Sequence, residues 1–184
     1  MLTFREVDVA DAKLILSWRV KERITRFMNT DISYDLENQK RWVESCYHNP
    51  YYYHWIIVEN DRPIGLINIC NLDRDNKTTA WGFYIGEDAC SGVGGFVPPY
   101  LYNFCFNQLD LRKISAEVFY NNTSVINLHQ LHGYRFCPSK DRVIEKSGRE
   151  ILLIAMELNT EEFNFSKYKH FIAEFSLQSW SESP

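Results

Sequence analysis

Four glycines, Gly86, Gly92, Gly94 and Gly95, follow the alternating run Trp81-Gly82-Phe83-Tyr84-Ile85 and precede an apolar run, Tyr100, Leu101, Phe104, Cys105 and Leu109. Alternation with period 2 reads as a strand and recurrence near 3.6 as a helix. The glycines therefore mark a turn in which backbone can come close to a ligand. A strand that turns into a helix N-terminus presents unpaired N–H groups and the positive end of the helix dipole, which suits a phosphate or pyrophosphate. Gly92-Val93-Gly94 lacks the third glycine of the dinucleotide fingerprint and no Walker lysine follows, so those two nucleotide folds are poor readings. The five cysteines, Cys46, Cys70, Cys90, Cys105 and Cys137, show no CxxC pair and no metal-type spacing, and no metal site is expected. Cys46, Cys70 and Cys105 sit among apolar residues and read as buried thiols.

The elements that must position this loop follow from periodicity. Leu2 to Val7 alternates as a strand, and Asp8 or Asp11 can cap a helix carrying Leu14, Ile15, Trp18, Val20 and Ile24, which is expected to end near Met28. A second helix after Tyr34-Asp35-Leu36 carries Trp42, Val43 and Cys46 and stops before Pro50. Tyr51 to Glu59 and Ile64 to Leu72 read as a hairpin about the turn Asn60-Asp61-Arg62-Pro63. Beyond the glycine loop come a strand at Lys113 to Phe119, a helix from Asn122 to His132 ended by Gly133, and strands at Tyr134 to Cys137 and Ile151 to Leu158. The polar stretch Pro138 to Glu150 reads as a connection. Glu161 onward reads as a C-terminal helix around Tyr168, Phe171 and Ile172, followed by a polar tail expected to fray. The order predicts one mixed α/β domain over residues 1–160 and a helical extension over 161–184.

A chain of 184 residues carries one full core. Its aromatic fraction of 15% is high and leaves room for a homodimer interface. A net charge of −4 gives no electrostatic footprint for nucleic acid or an anionic membrane, although a local cationic pocket remains compatible with it. The opening residues lack the basic and apolar regions of a signal peptide, no apolar run is long enough to span a membrane, and a reducing cytoplasm is the expected location.

Two motifs in order resemble the GNAT acyltransferase superfamily. Ala89-Cys90-Ser91-Gly92-Val93-Gly94 falls on its Gln/Arg-x-x-Gly-x-Gly/Ala loop, with Ala89 at the Gln/Arg position. The run from Asn122 through Ser124, Val125, Leu128 and His129 to Gly133-Tyr134 resembles its second motif, an asparagine, then a leucine-tyrosine pair, then glycine-phenylalanine. The resemblance implies a mostly antiparallel sheet of about seven strands flanked by helices, and acetyl-CoA bound where the central strand and the next one splay. It also implies that backbone near Tyr84 and Ile85 pairs with the pantetheine arm, that Ser91, Gly92, Val93, Gly94 and Gly95 hold the pyrophosphate, and that Asn122 meets the cofactor. Pro98-Pro99 set the helix start at Pro98 or distort it there.

Trp18-Arg19, Arg26-Phe27-Met28-Asn29-Thr30 and the hairpin from Trp55 to Ile67 are similar to the N-acetyltransferases of the pseudaminic acid pathway, which acetylate the 4-amino group of a UDP-linked 4-amino-4,6-dideoxy sugar. This likeness implies a small-molecule amine acceptor, a UDP-linked amino sugar, with Arg19 and Met28, beside Trp18, lining its pocket. His129 stands where the family's thiolate-protonating tyrosine would be, and is the expected catalytic acid; an imidazolium near pKa ~6.5 would lose activity as pH rises through that value. His48, His54, Glu59 and Asp73, or water, are open as base for the ammonium. Gln39 stands where an early histidine of the second helix is expected. The alternatives are acetylation of a protein N-terminus or small amine, or a non-catalytic acetyl-CoA-binding domain.

Overall fold

The computed structural model describes residues 2–176. Its frame is an eight-stranded, mostly antiparallel sheet, one strand more than expected. β1 (Leu2–Glu6), β2 (Tyr53–Glu59), β3 (Arg62–Asp73) and β4 (Thr78–Ile85) lie side by side in that order, each antiparallel to the next. The β2–β3 turn is two residues, Asn60 and Asp61, both at positive φ (48° and 63°), which matches the twist of a tight hairpin. β5 (Lys113–Phe119) then joins β4 in parallel, and β8 (Arg149–Asn159) runs antiparallel to β5 over its full length. β6 (Arg135–Phe136) and β7 (Arg142–Lys146) both pair with β8.

Helices cover both faces. α1 (Ala12–Arg19), α2 (Glu22–Thr25) and α3 (Leu36–Cys46) carry Ile15, Trp18, Ile24 and Val43 onto Ile56 and Leu66. The opposite face takes Trp55, Ile57, Ile67 and Ile69 against α4 (Pro98–Asn103) and its π-helical continuation Phe104–Gln108, through Leu101, Phe104 and Cys105. Neighbouring residues of β2 and β3 thus serve different cores, as period-2 alternation requires. Trp55 and Ile57 are fully buried, each contributing roughly 2–3 kcal/mol of transfer energy.

Three expectations change. The first helix ends at Arg19, nine residues before Met28, and only the short α2 follows. The stretch read as a polar connection holds β7, which pairs with β8 about Ser147 and Gly148 at φ 51° and 71°. Its residues are mostly charged, and only Val143 and Ile144 mark a strand. The expected C-terminal helix does not form among the described residues: a capped turn at Thr160–Glu162 is followed by further turns and extended chain. The reason is competition from packing. Asn103 donates to the carbonyls of Tyr168 (3.0 Å) and Phe171 (2.8 Å), and Phe175 stacks on Phe4 and Phe104 at centroid distances of 4.3 and 4.5 Å. Those contacts claim the aromatic residues whose spacing suggested a helix. The tail expected to fray lies at 177–184, outside the described residues. Of the two alternatives at Pro98-Pro99 the first holds: the helix after the glycine loop starts at Pro98, with prolines in its first two positions.

Candidate active site

β4 and β5 pair only at Thr78–Lys113, Thr79–Ile114 and Ala80–Ser115, and beyond Ala80 the two strands splay. A cleft of about 1230 Å3 opens there between the strands, the start of α5 (Thr123–Leu131), the arm after α2 and α3. Gly86 N–H donates to Ile64 on β3 at 2.7 Å, so alternation turns the main chain of Phe83 and Ile85 toward the splayed edge. The Ile85 carbonyl is already occupied: Arg23 Nη1 donates to it at 2.8 Å, while Arg23 Nη2 (2.7 Å) and Lys21 Nζ (2.8 Å) donate to Gly86. Phe83 therefore offers the free main-chain edge beside Ile85 N–H, in place of Tyr84, whose main chain turns toward Leu66 on β3.

The glycine loop is a run of 3-10 turns from Asp88 to Phe96, at the rim of the cleft. None of Gly92, Gly94 and Gly95 has a positive φ, and a Cβ on Gly92 or Gly95 would meet nothing within 4 Å. At Gly94 it would touch only Ile85 and Phe83, at 3.6 and 3.8 Å. Neither backbone conformation nor packing requires glycine at these positions. The backbone of the loop is therefore open to close approach. Pro98 and Pro99 have no N–H to give, so the first two positions of α4 lack the donors expected of a helix start. Asp88, the acidic residue opening the loop, is paired with both Lys21 and Arg23, which pull its carboxyl below the usual range. Gly86 has a different explanation: a Cβ there would stand 2.2 Å from the Trp18 indole. Trp18 itself is 1% exposed and donates its Nε1–H to Glu87 at 2.7 Å, so it belongs to the core and not to an acceptor pocket.

Tyr84, Ile85, Ser91, Asn122, Arg19, Met28 and His129 all line the cleft, whereas Gly92, Val93, Gly94 and Gly95, next to Ser91 in the loop, are not among its lining residues. Asn122 does not cap α5 through its side chain; it accepts a 3.2 Å bond from Ser124 and faces the cleft. Arg19 Nη1 and the Tyr84 hydroxyl are both buried with no hydrogen-bond partner. Burial pulls the Arg19 pKa down, with Tyr84 and Asp31 acting against it, and burial pushes the Tyr84 hydroxyl up. Arg19 Nη2 is fixed by the carbonyl of Thr30 at 3.3 Å.

Of the four proposed bases only His54 reaches the cleft. His48 is exposed, Asp73 is spent on the Asn76 turn, and Glu59 neighbours Cys90. His54 packs edge-on to Trp42 at 4.9 Å, its Nδ1 lacks a partner, and burial pushes its pKa down to about 4. Glu117 on β5, missed in the sequence because a lone glutamate in a strand carries no motif, lines the same cleft in a bidentate 2.7 Å pair with Arg142.

His129 is 3% exposed, stacked on Tyr134 at 4.7 Å, with an unpartnered Nδ1. Burial first, and His132 second, push its pKa down to about 4, so it is a neutral imidazole at pH 7, not the imidazolium expected. The cysteines follow the same burial logic. Cys105 is buried as expected, whereas Cys46 and Cys70 are half-buried, and Cys70 lines the cleft with its thiol pushed up to about 11. Among the described residues no cluster of three or more potential ligands could hold a metal ion. No helix among them is long and apolar enough to cross a membrane.

The acetyltransferase (GNAT) domain family matches residues 1–135. Two proteins named acetyltransferase PseH, from Campylobacter jejuni strains, are 26% and 24% identical over 127 residues, covering 69% of this chain and 78% of theirs. The spermidine N-acetyltransferase of Vibrio cholerae, solved in complex with CoA and spermine, shares the fold at a TM-score of 0.79 and 15% identity, over 88% of this chain and 96% of its own. A dodecameric structure of that enzyme aligns at a TM-score of 0.70 and 15% identity, over 87% of this chain and 94% of its own. With its family match spanning most of its length, the chain belongs to the GNAT acetyltransferases and is an acetyl-CoA-dependent N-acetyltransferase.

Proposed function

We propose that the acceptor is the amino group of a nucleotide-linked amino-deoxy sugar, a UDP-linked 4-amino-4,6-dideoxy sugar of the pseudaminic acid type. The observation that carries this reading is the acceptor end of the cleft, where the buried Arg19 Nη1 and Tyr84 hydroxyl lack partners beside Met28. An unpaired guanidinium attracts a diphosphate and repels a polyammonium chain such as spermidine. Met28 offers an adaptable apolar surface to a uracil ring or a sugar methyl. The PseH relatives support the same acceptor class.

Acetyl-CoA supplies the thioester. The loop from Ser91 to Gly95 and Asn122 hold it, and the main chain at Phe83 and Ile85 extends along its arm. Glu117 and His54 line the cleft and would pass the proton of the acceptor's ammonium on to solvent. His129, neutral at rest, takes the proton the amine sheds on attack and returns it to the departing sulfur. No covalent enzyme intermediate is needed. Cys90 stays outside the chemistry, its thiol pushed further up by burial and by Glu59.

The test is thiol release from acetyl-CoA with a panel containing the UDP-linked 4-amino sugar, spermidine and an N-terminal peptide. Turnover with the sugar is expected to exceed that with the others by at least about tenfold in kcat/KM. A preference for spermidine or peptide would overturn the assignment.

A further inference from the structure

We infer that the β7–β8 hairpin serves the acceptor site: Lys146, at its tip, is a positioning residue that fixes the arm carrying Met28. The proposal rests on the assignment of that end of the cleft to the acceptor. Residues 26–35 contain no helix or strand beyond a closing turn, yet they supply Met28, Asn29 and Thr30 to the cleft. Ordering such a segment costs conformational entropy at every residue, so some partner must hold it.

The partner is the hairpin. Lys146 Nζ donates to the carbonyl of Met28 at 2.7 Å and to that of Thr25, and it lies 3.3 Å from Asp31. Next to it, the Ser147 hydroxyl donates to Asp31 at 2.5 Å, and Thr25 reaches the same carboxylate at 3.4 Å. Lys146 is only 9% exposed, with its ammonium 5.6 Å over the Phe119 ring. A lysine is seldom buried unless its three donors are used. Here the carbonyl that ends α2, a carbonyl of the arm and a carboxylate in its middle use them. Neither Lys146 nor Ser147 lines the cleft, so whatever they do for the substrate passes through the arm. The same hairpin also places Arg142 on Glu117, so one tight turn stands behind two walls of the acceptor end.

Lys146→Met keeps the apolar stem and removes the ammonium. We expect it to raise KM for the acceptor by roughly tenfold, to leave KM for acetyl-CoA within about twofold, and to speed amide hydrogen exchange at residues 26–31. Ser147→Ala, on the exposed side of the clamp, should raise only the acceptor KM, by roughly threefold. The acceptor used is the UDP-linked 4-amino sugar or, if wild type prefers it, spermidine. Preference for spermidine would overturn the sugar assignment while leaving this experiment intact. An unchanged acceptor KM, or equal rises in both KM values, would overturn the positioning role. If Lys146→Met does not fold, Ser147→Ala decides by the same split in KM. If wild type acetylates no amine offered, hydrogen exchange decides, and unchanged protection of residues 26–31 in Ser147→Ala would overturn the proposal.

Discussion

His129 shows how burial redirects a residue's chemistry. Its ring lies between Tyr134 and Trp81, at 4.7 and 5.6 Å, in a wall that holds it neutral with a pKa of about 4. An acid that is already protonated at rest would lose activity as pH rises through ~6.5; a neutral relay would not. We therefore expect kcat to be flat from about pH 6 to 8 as far as His129 is concerned, and to fall on the acid side as its imidazole is protonated before turnover. His129→Phe should lower kcat by roughly 10²-fold with the Kd for acetyl-CoA little changed, the usual scale for a positioned proton-transfer group. A pH profile with its loss on the alkaline side near 6.5 would restore the imidazolium role. A His129→Phe enzyme of near-normal turnover would hand the proton to water.

The cofactor role proposed for the glycine loop is tested at Gly94. Because a Cβ at Gly94 meets only ordinary van der Waals neighbours, Gly94→Ala should leave the melting temperature within a few degrees of wild type. Gly94→Asp, which adds a carboxylate facing the pyrophosphate, should weaken acetyl-CoA binding at least about tenfold, or about 1.4 kcal/mol. Calorimetry on the two folded variants separates charge from bulk, and unchanged affinity in Gly94→Asp would remove the loop from the site. The neighbouring cations do not bear on this contrast, since Lys21 and Arg23 are engaged by Asp88 and by the carbonyls at the end of β4.

At the scale of the whole molecule, three buried histidines set the acid limit of stability. His54, His129 and His132 each have a pKa pushed down to about 4, burial being the largest cause in every case. An unfolded histidine near 6.5 binds its proton first, so unfolding takes up protons between about pH 6.5 and 4. Stability is then fully present above pH 6.5 and falls as the solution is acidified. Each histidine would contribute on the order of 3 kcal/mol across that window. Urea midpoints measured at pH 7.5, 6, 5 and 4 should fall steadily. A midpoint constant down to pH 5 would show that these rings are protonated in the folded protein.

The sequence by itself determined the elements whose signal is local. The strand at Lys113–Phe119 coincides with the run read from its alternation, and α5 lies within the stretch bounded by Asn122 and Gly133. The glycine loop was legible as a place of close approach, since no large side chain crowds it. Where packing competes with periodicity, the sequence misled: Tyr168, Phe171 and Ile172 are spaced like a helix, but the carbonyls of Tyr168 and Phe171 are held by Asn103 and the chain beyond is drawn along by Phe175 onto Phe4 and Phe104. Tertiary structure alone decided which polar groups meet. Arg23 bonds the Ile85 carbonyl across 62 residues, and Lys146 bonds that of Met28 across 118. No local pattern encodes such a pair, because each partner's own neighbours in the chain are satisfied without it. It also decided the protonation of His129, since the desolvation that holds the ring neutral comes from residues that only the fold brings around it.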